Sequence, residues 1–196
     1  VWADGTKGGY MIYYSLLNPA EDQYDRVFYS YADATFTRLT KPRLLVDWGY
    51  ATIDADINYV PADGLYHMLI KKEGGTPGIF AATATKLTGP YKIKDENDYV
   101  KFEGNKKCEG CSAFQLVGDS TWRVAYIEYS SKPKRYRICQ ADEKLANFHS
   151  PVTMEGVKHP QHGSFMRLTE EEYKRLQEWS DSIMRERAAR NSGEKK

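Results

Sequence analysis

Long apolar runs are missing from this sequence. No stretch approaches the roughly 18 consecutive apolar residues that span a bilayer, which excludes a transmembrane helix and predicts a chain that works off the membrane. An excess of one charge is missing too. Lys and Arg number 28 against 27 Asp and Glu, a formal charge of +1, so nothing in the balance asks for a polyanionic partner and nucleic acid is not the expected ligand. Cysteine is scarce and odd in number: Cys108, Cys111 and Cys139 cannot close into a complete disulfide set. Cys108 and Cys111 form a C-x-x-C, yet no second pair and no His-x3-His follows at a zinc-site distance, so the three are read as small buried residues, with redox chemistry a distant second. The chain opens at Val1 with neither an initiator Met nor a charged-then-apolar leader, which reads as a processed or truncated N-terminus that is silent about export.

Aromatic residues are plentiful, at 13%, led by 15 Tyr and 4 Trp. They suit sheet faces or sugar-stacking surfaces, and strand packing must account for most of them. Three segments share one layout: an aromatic-rich alternating run, a polar turn, a second alternating run ending in small residues, then a third strand. The leading runs are Tyr10 to Ser15, Leu65 to Lys71 and Trp122 to Tyr129; the second runs are Arg26 to Ala32, Gly78 to Thr83 and Arg135 to Cys139. Tyr10, Tyr66 and Trp122 hold equivalent places at a constant spacing of 56 residues. Antiparallel strands repeated at about this period predict propeller blades, with an ordinary sandwich of evenly spaced hairpins as the competing reading.

The tail changes character. Thr169 and Glu172 form a capping box, and Tyr173, Leu176, Trp179 and Ile183 follow at spacings of three and four. An amphipathic helix is therefore expected from about residue 170 to 189. The expected organisation is a domain over 1–168 and a C-terminal helix and tail over 169–196 packed on it, fraying from Asn191.

Inverting hydrolysis of a glycosidic bond needs two carboxyl groups on opposite faces of the sugar, one protonated to release the leaving group and one ionised to activate water. A third carboxylate can hold the acid's pKa high, because a neighbouring negative charge disfavours ionisation. Acidic residues at strand starts are the candidates. Asp54 lies in Ile53-Asp54-Ala55-Asp56, ahead of the turn at Asp63-Gly64, and Glu109 lies in Cys108-Glu109-Gly110-Cys111. They are 55 residues apart, one repeat to within a residue, so equivalent blade positions would aim both inward. Alone, each would be read as a turn residue.

These segments resemble glycoside hydrolase family 43, five-bladed propellers that hydrolyse arabinosides, xylosides and related linkages. Ile53-Asp54-Ala55 is similar to the family's Ile-Asp-Pro segment, and Cys108-Glu109-Gly110 to its Glu-Gly-Pro segment. Val1-Trp2-Ala3-Asp4 resembles the Trp-Ala-Pro-Glu segment that opens the second blade, and His162-Gly163-Ser164-Phe165 the late His-Gly segment of the central channel. The resemblance implies an all-β fold, a partial five-bladed propeller of about three to four blades. It implies Glu109 as general acid and Asp54 as the residue that tunes and orients it.

Trp2, Asp4, Asp56 and His162 are the expected substrate-side residues, Asp56 also standing as an alternative to Asp54 because it lies one pleat period away. Tyr13 and Trp48 are further stacking candidates, with core packing as the plainer reading. In the family the channel histidine faces a bound calcium or its waters, so His162 carries a water-mediated structural calcium as one reading and a hydrogen-bonded structural role as the other; no cofactor is required.

This chain departs from the pattern where Ala55 and Cys111 replace the expected prolines, and where the family's base, an Asp on the first blade, has no counterpart. A missing N-terminal segment or a second chain is expected to complete the ring. The resulting expectation is an inverting glycosidase, periplasmic or extracellular, acting on arabinose-, xylose- or galactose-containing oligo- or polysaccharides. The alternative is a non-catalytic carbohydrate-binding propeller fragment that lacks its base.

Overall fold

A computed structural model describes residues 9–17, 23–74, 78–93 and 107–193. Eleven strands among these form three antiparallel sheets, each in plain sequential order. The first holds β1 (Tyr10–Leu16), β2 (Arg26–Ala32) and β3 (Arg43–Val46). The second holds β4 (Thr52–Val60), β5 (Leu65–Lys72), β6 (Gly78–Ala84) and β7 (Lys92–Ile93). The third holds β8 (Cys108–Gln115), β9 (Trp122–Glu128), β10 (Arg135–Ala141) and β11 (His149–Thr153).

The repeat seen in the sequence is a repeat of pairing. Tyr10 stands opposite Ala32, Tyr66 opposite Ala84 and Trp122 opposite Ala141, an aromatic facing an alanine at the same corner of each sheet. By this register β1 corresponds to β5 and β9, the second strands of the four-stranded sheets. The strands that carry the acidic candidates, β4 and β8, are the first strands of theirs. The hairpin from β4 to β5 closes at Asp63 and Gly64, whose N–H groups donate to the Val60 carbonyl at 3.3 and 2.9 Å, with Gly64 in the left-handed region (φ 72°). Asp63 Oδ2 also lies 2.8 Å from Nε2 of the buried His67, so that histidine is spent on the hairpin.

Period-two alternation places the core between sheets rather than inside one. From β5 and β6, Met68, Ile70, Phe80 and Ala82 pack with Val27, Leu45 and Val46 of the first sheet. Their alternate neighbours Leu69, Ile79 and Ala81 pack with Ala113, Val124 and Tyr126 of the third. The middle sheet therefore buries both faces, which explains why its strands read as nearly continuous apolar runs. Each fully buried aliphatic side chain contributes about 1.5–3 kcal/mol. All three cysteines are buried thiols outside any disulfide, as expected, within the second of these clusters.

The helix α1 (Glu170–Gly193) belongs to a separate compact unit, residues 165–196, and starts at the expected capping box. Thr169 Oγ1 accepts from the Glu172 N–H at 3.2 Å while Glu172 Oε2 accepts from the Thr169 N–H at 2.8 Å. It runs four residues beyond the expected end. Tyr173, Leu176 and Trp179 along it are exposed. No described helix is long and apolar enough to cross a membrane.

Candidate active site

The first strands β4 and β8 lie against each other and break their pairing at the same place. Register shifts fall between Ile53 and Asp56 on β4 and between Glu109 and Ser112 on β8. Before the break Ile53 faces Lys71 and Glu109 faces Ile127, so Ile53 and Glu109 are equivalent positions, and Asp54 corresponds to Gly110. Both of the latter are left-handed, Asp54 at φ 55° and Gly110 at φ 62°. A regular pleat would send residues offset by one place to opposite faces. The matching bulges re-aim them instead, and the one-residue offset noticed in the sequence becomes a convergence.

The point of convergence is His162. Its Nε2 lies 3.6 Å from Asp54 Oδ2 and 3.7 Å from Glu109 Oε1, ion-pair range but longer than a hydrogen bond. Gly110 makes this possible. A Cβ there would stand 2.3 Å from the His162 ring, so no other residue leaves room for the imidazole. Gly163 is constrained in the same way, since a Cβ on it would come within 2.5 Å of the Tyr136 hydroxyl.

Asp54 Oδ2 is buried without a hydrogen-bond partner. Burial pushes the Asp54 carboxyl above its ordinary range; His162 opposes this, the charge on Glu109 adds to it, and the Gly110 N–H and Lys71 work against it. Asp56 behaves differently. Its Oδ2 accepts from Asn58 Nδ2 at 2.7 Å and from the Ala113 N–H of β8 at 2.8 Å, tying the two first strands together. Burial raises its pKa to about 6 against these two bonds. A bulge lies between Asp54 and Asp56, and the two carboxyls have different hydrogen-bond partners. Tyr13 adds an oxygen that accepts from the Ile57 N–H at 3.2 Å, and its phenol is pushed up by burial and by the Asp56 charge.

Asp54, Asp56, Gly110, His162 and Tyr13 line one cavity of about 240 Å³. Tyr13, Asp54 and Ala55 also line a second opening of about 250 Å³ on the β1 side. Trp48 packs against the core between the first two sheets with its ring tilted on Tyr50, the plainer of its two readings. Trp2 and Asp4 lie outside the described residues.

One residue of the site was not foreseen. Lys71 is buried, and its Nζ lies 3.8 Å from Glu109 Oε2, donates to Glu73 Oε1 at 2.7 Å and donates to the Tyr129 hydroxyl at 3.3 Å. Burial works against the lysine's charge, but the bonds to Glu73 and Tyr129 outweigh it and its pKa stands above the ordinary value. The available signal was a lysine at the end of Met68-Leu69-Ile70, a run whose length places it deep between sheets.

Solved structures share this fold. A thermostable family-43 glycoside hydrolase superposes with a TM-score of 0.51 at 16% identity, covering 76% of this chain and 51% of its own. An α-L-arabinofuranosidase from Podospora anserina, solved with cellotriose, gives 0.52 at 9% identity over 73% and 46%. An endo-arabinase from Bacteroides thetaiotaomicron gives 0.50 at 11% identity over 73% and 50%. The chain thus spans about half the length of these structures, and at such identities the likeness establishes the fold: consecutive antiparallel blades of a propeller. No curated protein matches the chain. Across residues 1–174 the sequence matches the family model described as "Probable glycosyl hydrolase domain", and the chain belongs to that family, which is related to glycoside hydrolase family 43.

Proposed function

We propose that this chain carries the acid-donating half of an inverting glycoside hydrolase. The observation that carries the reading is the meeting of Asp54 and Glu109 about His162, on two bulged strands from different sheets. In the proposed reaction Glu109 gives its proton to the glycosidic oxygen as the bond to the anomeric carbon breaks. A water attacks that carbon from the opposite face and loses its proton to a carboxylate base. Asp54 orients the acid through His162, which stands between the two carboxyls. Asp56, Trp2 and Asp4 are kept as substrate-side residues and His162 as the positioning group between the carboxyls.

The base is assigned to a further blade, supplied by another segment of the protein or by a second chain. The substrate class proposed is arabinose-, xylose- or galactose-containing glycan, met in the periplasm or outside the cell. A directly held calcium does not fit the residues at His162. Among the described residues no three His, Cys, Asp or Glu are placed to hold an ion, and calcium asks for six to eight oxygen ligands.

Glu109→Gln tests the acid assignment. Hydrolysis of an unactivated arabino-oligosaccharide should fall by about 10²–10⁴-fold, while an aryl glycoside with a good leaving group, which needs little protonation, should be far less affected. Asp54→Asn should lower kcat by roughly tenfold or more. Equal losses on both substrates for Glu109→Gln remove it from the acid role. Binding of the oligosaccharide without turnover by the wild-type full-length protein establishes the carbohydrate-binding alternative.

A further inference from the structure

A further and larger cavity, of about 710 Å³, has in its wall Tyr129, whose hydroxyl accepts from Lys71 Nζ. Its walls are two loops. One runs from Tyr129 to Lys134 between β9 and β10; the other, from Val157 to Gln161, leads directly into His162. Three lysines line it, Lys132, Lys134 and Lys158, together with His159, and no lining residue is acidic. Among the described residues none of the three lysines forms an ion pair with a carboxylate. In a chain whose formal charge is +1 this is a local concentration of positive charge that the overall balance conceals.

The first loop is built rather than slack. Glu128 is fully buried at the end of β9, and its carboxylate accepts from the Ser130 hydroxyl at 2.5 Å, from the Ser131 N–H at 2.7 Å and from the Ser131 hydroxyl. Ser130 Oγ in turn accepts from the Lys107 N–H at 3.1 Å. This pins the strand end from which Lys132 and Lys134 project. The cavity joins the acid site by two routes: Tyr129 through Lys71 to Glu109, and Gln161 through the chain to His162. Its volume falls within the roughly 300–1,000 Å³ of ligand pockets.

We infer that this cavity is a subsite for a negatively charged sugar, a carboxylate- or sulfate-bearing residue of the glycan chain, adjoining the position where Glu109 acts. Lysine ammonium groups suit it because each is a compact charge on a flexible stem, able to meet a carboxylate or a sulfate without the fixed geometry of a guanidinium. The half-buried Tyr129 supplies a ring for a sugar face. That the anion sits on a glycan rests on the glycosidase reading; that the cavity takes an anion does not.

The test is calorimetric titration of the protein with trigalacturonate, a sulfated galactotriose, neutral galactotriose and inorganic sulfate. At least one charged trisaccharide should bind about tenfold or more tightly than the neutral one, with the difference shrinking as salt rises. The K132A/K134A/K158A variant should lose the difference and K132R/K134R/K158R should keep it; because all three side chains are exposed, both should fold. A preference for only one of the charged trisaccharides identifies the anion and upholds the subsite. Equal binding of charged and neutral trisaccharides, a preference that survives the alanine variant, or inorganic sulfate binding as tightly as the saccharides overturns it. Glu109→Gln separates the two readings. Lost hydrolysis with the charge preference retained supports both. Undiminished hydrolysis with the preference still mapping to the lysines removes the acid assignment and leaves the anion subsite standing.

Discussion

Strands β4 and β8 have the same place in their sheets, the same bulge and a common neighbour in His162, yet they exchange two residues. On β4 the residue before the break is Ile53 and the left-handed position holds Asp54; on β8 the corresponding pair is Glu109 and Gly110. Had both strands carried the acid at the same position, two carboxylates would face each other with no space for the imidazole. The exchange puts one carboxyl at the break and the other before it, and leaves glycine where the ring must enter. The repeat supplies a backbone, and departures from the repeat make the site.

The comparison can be broken most severely at Gly110. Gly110→Ala forces a Cβ into the His162 ring and a left-handed conformation on an L side chain, which alone costs about 1–2 kcal/mol. A total loss of about 3 kcal/mol or more is expected by denaturant titration, with His162 displaced and activity falling with it. A variant as stable and active as wild type would show that the ring does not occupy this place.

A smaller effect should come from Asp56, the carboxylate that ties the two strands together. Its folded pKa of about 6 stands above the ordinary 3.8, so the proton is held more tightly in the fold than out of it. Its contribution to stability is then fully present below about pH 3.8 and is lost as pH rises to about 6, above which the fold carries a buried charge. Asp56→Asn keeps an oxygen able to accept from Asn58 and Ala113 and removes the charge. The stability difference, variant minus wild type, should rise by about 2–3 kcal/mol between pH 4 and pH 7. A difference that stays flat with pH would mean the carboxyl is not held in this environment.

The mildest change sharpens the comparison by making β4 resemble β8. Asp54→Gly relieves a left-handed non-glycine residue and should raise stability by up to about 1 kcal/mol while abolishing whatever the carboxylate contributes to turnover. Stability gained where activity is lost is the mark of a residue kept for chemistry. A fall in both would mean that Asp54 serves the fold.

Much of this was legible in the chain. Alternation and turn residues are local, so the 56-residue repeat, the Asp63-Gly64 hairpin and the Thr169–Glu172 capping box could be read directly, whereas His162 was singled out only through the family resemblance. Lys71 could not be assigned its role, because its partners Glu109 and Tyr129 lie 38 and 58 positions further along and meet it only after the sheets stack. The partners of Asp56, Asn58 and the Ala113 N–H of β8, were not legible either, because the second lies 57 positions away and meets it only when the strands come together. The basic cavity was hidden by a net charge that sums over the whole surface.

What the sequence determined by itself is whatever neighbouring residues decide among themselves: strands with two usable faces, turns, a capped helix, and which side chains bear ionisable groups. What only the tertiary structure decided is where those groups go. Two strands from different sheets must be brought together and bulged in step before Asp54, Glu109 and His162 share one space, and packing between sheets, which no local pattern encodes, sets that register.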